Sequence, residues 1–185
     1  MSKKVIGIDP GNEGAFVLTD GVNFLETFLM PVEKVGKDNL ISFSKVVFIL
    51  RSFVSKFGTS HVFLERAMPM AMGAKGAFTY GRGFEALRIA LGCLKLPFTM
   101  VEPSKWSKEM HEGISADLKP KAKSLIAVQR LYPQLVGKLP KRPKKQNYMD
   151  GPIDALLIAG YGLRKFKSEE QNDENLDFYD YTRYS

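Results

Sequence analysis

The chain has 185 residues, an apolar share of 44% and a formal net charge of +7. That length suits one domain with a full core, and no apolar run approaches the roughly 20 residues of a membrane-spanning helix. Nothing after Met1-Ser2-Lys3-Lys4 reads as a secretory signal, and the single Cys93 excludes an internal disulfide or a multi-cysteine zinc site.

In chain order, the first apolar run is Val5-Ile6-Gly7-Ile8, which predicts a strand over 4–8 that Asp9 closes. Pro10-Gly11-Asn12-Glu13-Gly14 reads as a tight turn into a second strand, 15–19. Asp20-Gly21 turns the chain into a third, 24–30. Apolar residues at helical spacing from Leu40 to Phe57 predict a helix over 38–56, stopped by Gly58. His61-Val62-Phe63-Leu64-Glu65 reads as a buried strand. A Met- and Gly-rich loop leads to a helix over 78–94, and 97–101 forms another strand. After a short region around Trp106 come a helix over 119–131, a basic loop GKLPKRPKKQNYM, and a last apolar helix over 152–166 with Pro152 in its first turn. The order β-β-β-α-β-α-β-α-α predicts an α/β fold, a mixed sheet with helices on its faces. The domain is expected to span 1–167. Residues 168–185 read as an acidic flexible tail whose aromatic side chains could dock elsewhere.

Charge is unevenly spread. Nine Lys or Arg and no Asp or Glu lie between Lys119 and Lys145, whereas 169–185 holds six acids and only Arg183. A solvated face is the ordinary explanation of a basic run. A block this one-sided favours a polyanion, most commonly nucleic acid.

Acids recur at the ends of apolar elements. Asp9 ends the first strand and Glu65 ends VFLE. Asp150 and Asp154 flank the start of the last helix in DGPIDALLIAGYG, four residues apart. Each has a plain explanation alone: turn formation for Asp9 and Asp150, the helix dipole for Asp154. If the first and fourth strands are neighbours, Asp9 and Glu65 meet at one edge. Clustered carboxylates repel and raise one another's pKa unless a cation sits among them. Oxygen donors without Cys point to Mg²⁺ or Mn²⁺. Such ions beside a basic surface suit phosphodiester cleavage by two metals.

The ordered set IGIDPG, VFLERA, GRGFEALRIAL, VEPSKW, the Lys-rich stretch before RLYP, and KKQNYMDGPIDALLIAGYG resembles the RuvC-type Holliday junction resolvases, in their phage and organellar form, over about residues 4–165. The resemblance implies a ribonuclease H-like fold, a homodimer, branched four-way DNA as substrate, and two Mg²⁺ (or Mn²⁺) per active site. It implies catalytic and metal-binding roles for Asp9, Glu65 and Asp154. Asp150 joins them either directly or through water, because the last two acids sit four residues apart here and three apart in the bacterial branch. It further implies a lysine near the scissile phosphate, Lys121 or Lys123, with Lys119 beside them. The loop carrying Met68, Met70 and Met72 is expected to reach the junction centre and wedge against unstacked bases, or else to fill core space. Lys75 and Arg82 are placed to flank DNA, and Lys141, Arg142, Lys144 and Lys145 to contact phosphates. The dimer surface is expected on the helix carrying Phe84, Leu87, Ile89, Leu91 and Leu94, and the protein is expected to be soluble and cytoplasmic, in the host cytoplasm if viral.

Trp106 is read as core, Cys93 as a core thiol, and His61 and His111 as structural or surface residues. Three other functions fit parts of the pattern: an actin- or sugar-kinase-like ATPase, although those folds need two such domains and this chain reads as one, a ribonuclease acting on RNA–DNA hybrids, and a non-catalytic junction-binding module.

Overall fold

The computed structural model of the protein describes residues 3–67, 73–142 and 148–171. Five strands form one mixed sheet: β1 (Val5–Asp9), β2 (Ala15–Thr19), β3 (Phe24–Leu29), β6 (His61–Glu65) and β7 (Phe98–Val101). Their spatial order is β3-β2-β1-β6-β7. β1 runs antiparallel to β2 and parallel to β6, and β6 runs parallel to β7. A separate hairpin pairs β4 (Val32–Val35) with β5 (Asp38–Ile41).

The helices are α1 (Phe43–Phe57), α2 (Ala74–Cys93), α3 (Pro103–Met110), α4 (Pro120–Leu131), α5 (Pro133–Val136) and α6 (Asp150–Gln171). Four boundaries differ from the sequence-based expectation. The predicted first helix begins at Phe43, because 38–41 pairs as β5 across a turn at Gly36-Lys37. The second helix starts at Ala74, the Trp106 region is itself helical, and the last helix starts at Asp150 and runs to Gln171. Among the described residues no helix is long and apolar enough to cross a membrane.

Strand periodicity divides the sheet into two faces. Ile6, Ile8, Phe16, Leu18, Val62 and Leu64 point to one core, shared with Leu50 and Phe53 of α1 and Leu87 and Leu91 of α2. Val5, Ala15, Val17 and Phe63 point to the other, closed by α6 together with α3, α4 and α5. Asp9 has the parity of Val5 and Gly7, and Glu65 that of Phe63, so both acids belong to the α6 face.

α6 lies directly on β1 because small residues face each other there. A Cβ on Gly7 would sit 2.0 Å from the Ala155 carbonyl oxygen, and one on Gly151 would sit 2.1 Å from the Glu13 carbonyl oxygen. Real Cβ atoms do not approach so closely, so both positions require glycine. Helix backbone therefore rests on strand and turn backbone, which carries the first turns of α6 to the end of β1.

Candidate active site

The register brings the acids together. Ile8 pairs with Leu64 across the parallel β1–β6 ladder, so the next residues, Asp9 and Glu65, end neighbouring strands at the same edge. Gly151 packs against the β1–β2 turn, and Asp154 follows one turn later on α6. Three elements distant in sequence thus deliver carboxylates to one place.

Local hydrogen bonds hold two of them. Asp9 Oδ1 accepts the Gly11 backbone N–H at 3.0 Å, the side-chain turn expected of Asp before Pro-Gly. Glu65 Oε1 accepts the Trp106 indole N–H at 2.8 Å. Asp154 Oδ1 is buried and has no hydrogen-bond partner among the described residues.

Electrostatics mark the three as a group. Desolvation raises the pKa of Asp9, and the Asp150 carboxylate adds to it while the Gly11 N–H opposes it. Glu65 is pushed up to about 7 by burial first and then by Asp9 and Asp154, against the Trp106 hydrogen bond. Asp154 is pushed up to about 7 by burial, with Asp9 and Asp150 adding and the Ser124 hydroxyl opposing. Mutual elevation of this kind is what unneutralised carboxylates do at close range.

Asp150 behaves differently. Its Oδ2 accepts from Lys121 Nζ at 2.6 Å and from Arg142 Nη2 at 2.8 Å, and Arg142 also reaches Glu13 at 3.4 Å. Two cations thus engage this carboxylate. Among the described residues no three acidic, His or Cys side chains form a ready-made ion cage as they stand. The donor set nevertheless fits a divalent ion: hard carboxylate oxygens, one buried orphan at Asp154, and raised pKa values that a cation would relieve.

The basic residues fall into distinct places. Lys121 joins the acids, while Lys123 lies near His111, whose pKa is lowered first by burial and then by this lysine. Lys119 is the exposed N-cap residue of α4. Arg142, expected on phosphate, reaches Asp150 and Glu13 at the acidic site. Lys141 is exposed, pairs by backbone with Tyr148 and lies 5.5 Å from its ring. Lys75 is paired with Asp38 at 2.6 Å, and Arg82 lies over the Phe78 ring at 5.5 Å. Met68, Met70, Met72, Lys144 and Lys145 lie outside the described residues.

Sequence reasoning missed four neighbours of the acids. Tyr80 on α2 has its pKa raised to about 12, by burial and then by Glu65 and Asp9. Trp106 is core as expected, 5% exposed, but also donates to Glu65. Ser124 and His111 approach from Asp154's side. Only the Trp had a usable signal, since a buried indole N–H needs an acceptor. Cys93, expected in the core, is exposed. A cavity of about 220 Å³ between β7, α3 and α6, lined among others by Arg66, Lys105 and Tyr161, contains none of the four acids.

Five strands in this order, with helices on both faces, make a ribonuclease H-like fold of the kind seen in RuvC. Thermus thermophilus RuvC in complex with a Holliday junction substrate superposes with a TM-score of 0.57 at 17% identity, covering 88% of this chain and 96% of that one. Thermus thermophilus RuvC in a second structure gives 0.51 at 16% identity, with the same coverages. Ydc2, the yeast mitochondrial Holliday junction resolvase, gives 0.63 at 14% identity, covering 92% of this chain and 82% of that one. No family model matches the chain, and no curated protein matches it.

Proposed function

We propose that the chain is a structure-specific endonuclease that cuts two opposed strands of four-way DNA junctions by metal-dependent phosphodiester hydrolysis. The observation that carries this reading is the convergence of Asp9, Glu65 and Asp154, all with raised pKa, at one edge of a RuvC-type sheet. Asp9, Glu65 and Asp154 would hold two Mg²⁺ or Mn²⁺ ions, with Asp150 completing the set directly or through water. Bound there, the ions supply Lewis acidity, lowering the pKa of the attacking water and neutralising charge on the leaving oxygen.

The chain's own residues do the rest. Asp9 is oriented by the Gly11 N–H and Glu65 by Trp106, so their donor oxygens are fixed before anything binds. Lys121 and Arg142 sit on Asp150, where an arriving phosphate would compete for them. Of the two lysines at the start of α4, Lys121 is the one in reach of the acids and is assigned the phosphate role. The acid-free basic stretch from Lys119 onward supplies backbone contacts, which fix position without reading sequence.

Two opposed cuts need two sets of acids, which a two-fold homodimer provides. The expected dimer face changes in detail. Phe84, Leu87 and Leu91 are buried in the α1–α2 core, so the apolar groups α2 offers outward are Phe78, 67% exposed, and Ile89, 53% exposed. Action on DNA junctions would place the chain in the compartment that holds the DNA, which in a bacterial host is the cytoplasm.

The test is cleavage of a four-way junction, a linear duplex and an RNA–DNA hybrid, each with Mg²⁺ and with excess EDTA. Paired cuts in the junction alone, abolished by EDTA, are expected. Preferential cutting of the hybrid would make the chain a ribonuclease. Tight junction binding with no cutting would make it a binding module.

A further inference from the structure

Two helices that carry no acid of the site nevertheless touch two of its acids. α3 follows β7, whose Val101 pairs with Glu65. One turn in, Trp106 turns its indole N–H back to Glu65 Oε1 at 2.8 Å. The next residue after the helix, His111, stacks edge-on against that indole, with ring centroids 5.7 Å apart. His111 Nε2 lies 3.2 Å from Ser124 Oγ on α4. Ser124 also neighbours Asp154, and its hydroxyl holds that carboxyl's pKa down against the effect of burial. One connected set of side chains thus runs from Glu65 through Trp106, His111 and Ser124 to Asp154.

The chemistry of the Glu65 link has one direction. An indole nitrogen only donates and a carboxylate only accepts. If Ser124 gives its proton to Asp154, its oxygen is left to accept from His111, which sets the imidazole with its proton on Nε2. The Trp106 bond occupies one Glu65 oxygen and leaves the other as an acceptor. Both Trp106 and Ser124 are 5% exposed, so solvent does not substitute readily for either. The helix behind them is pinned as well: Glu109 accepts from Lys165 of α6 at 2.9 Å, which ties α3 to the helix that carries Asp154.

We propose that Trp106, Ser124 and His111 are positioning residues that set the orientation of Glu65 and Asp154 for divalent-ion binding. The idea rests on the metal-dependent reading of the site. Packing alone would be served by Phe at position 106 and Ala at position 124. What those replacements lack is the donor aimed at an acid. Partners that orient metal-binding side chains in this way are typically worth about 10- to 100-fold in metal affinity.

The experiment is calorimetric titration of Mn²⁺ into the DNA-free full chain, for wild type, Trp106→Phe, Ser124→Ala, His111→Gln and His111→Ala. Melting curves in EDTA are recorded alongside. Trp106→Phe and Ser124→Ala are each expected to bind Mn²⁺ about 10- to 100-fold more weakly while remaining folded. His111→Gln, which keeps a donor, should bind more tightly than His111→Ala. Lower melting temperatures with wild-type Mn²⁺ affinity would show a purely structural role and overturn the proposal. If Trp106→Phe fails to fold, Ser124→Ala, which removes one oxygen atom, decides the matter. Failure of wild type itself to bind Mn²⁺ would instead overturn the metal-dependent reading beneath it.

Discussion

The two faces of the sheet are made by the same strands and do different things. On the α1–α2 face, Ile6, Ile8, Val62 and Leu64 meet Leu50, Phe53, Leu87 and Leu91, and the core is apolar throughout. On the α6 face the alternate residues of β1 and β6 are Val5, Gly7 and Asp9, and His61, Phe63 and Glu65. Here glycine lets a helix backbone touch the sheet, and two carboxylates end the strands. Both faces bury an apolar core, and the α6 face in addition holds acids in a poorly hydrated place, which costs free energy unless a cation compensates.

The sharpest way to break the comparison is one substitution on each face. Leu50→Ala removes a fully buried side chain and should cost about 2–5 kcal/mol. Asp154→Asn should do the reverse in metal-free protein at pH 8 and raise the melting temperature, because it removes a charge that burial disfavours. Chemical denaturation of both variants in EDTA checks the pair. A strongly destabilised Asp154→Asn would mean that its carboxylate is structural.

The pH dependence follows from the same three acids. Their unfolded pKa values lie near 4, and in the folded chain Glu65 and Asp154 are raised to about 7 and Asp9 is raised too. Between pH 4 and 7 the folded state therefore binds more protons than the unfolded one. This contribution to stability is present at low pH, falls as pH rises through that window and is flat above it. The loss should amount to several kcal/mol, since each tenfold change in a group's proton affinity on folding is worth about 1.4 kcal/mol. Melting temperature measured from pH 5 to 8 in EDTA should show the decline. Mg²⁺ should restore stability at pH 8 and have little effect at pH 5, because binding needs deprotonated ligands. A melting temperature independent of Mg²⁺ at pH 8 would contradict it.

Gly151→Ala probes the join between the faces' chemistry and their backbone. Its Cβ would collide with the Glu13 carbonyl, so the first turn of α6 must move away from β1. Overpacking of this kind costs about 1–3 kcal/mol, and cleavage should fall more than the lost stability explains, since Asp154 moves with the helix. The equivalent change at exposed Gly92 in α2, where a Cβ meets nothing within 4 Å, should leave cleavage unaltered and raise stability slightly through helix propensity.

The smallest effect is expected from the basic side. Changing Lys141 to Ala should lower the log–log salt slope of junction binding by about one, the value for one phosphate contact. A fluorescence titration over salt concentration measures it, and an unchanged slope would place Lys141 in solvent.

How much of this was legible in the sequence differs between regions for physical reasons. Asp9 and Glu65 stood out because each interrupts an apolar β-branched run where the strand ends, and strand parity then put both on one face. The β4–β5 hairpin was not legible. Leu40 and Ile41 continue the helical spacing of Phe43, Val46 and Val47, so periodicity alone merges the strand with the helix and hides the turn at Gly36-Lys37. The start of α2 was obscured by Gly76, which reads as loop. Trp106 and Glu65 are 41 residues apart and Ser124 and His111 are 13 apart, and no local pattern marks a hydrogen bond across such distances. Spacing could not separate Lys121 from Lys123 either, because the direction of each side chain depends on where α4 lies relative to α6.

The most direct test of the acids' role is parallel measurement of binding and cleavage of a four-way junction by wild type and Asp154→Asn in Mg²⁺. Cleavage by the variant should fall by at least about 10²–10³-fold, the scale for losing one group that stabilises developing charge. Its junction affinity should stay close to wild type, because the basic surface is untouched. Cleavage by Asp154→Asn at the wild-type rate would contradict the assignment of this face as the catalytic one.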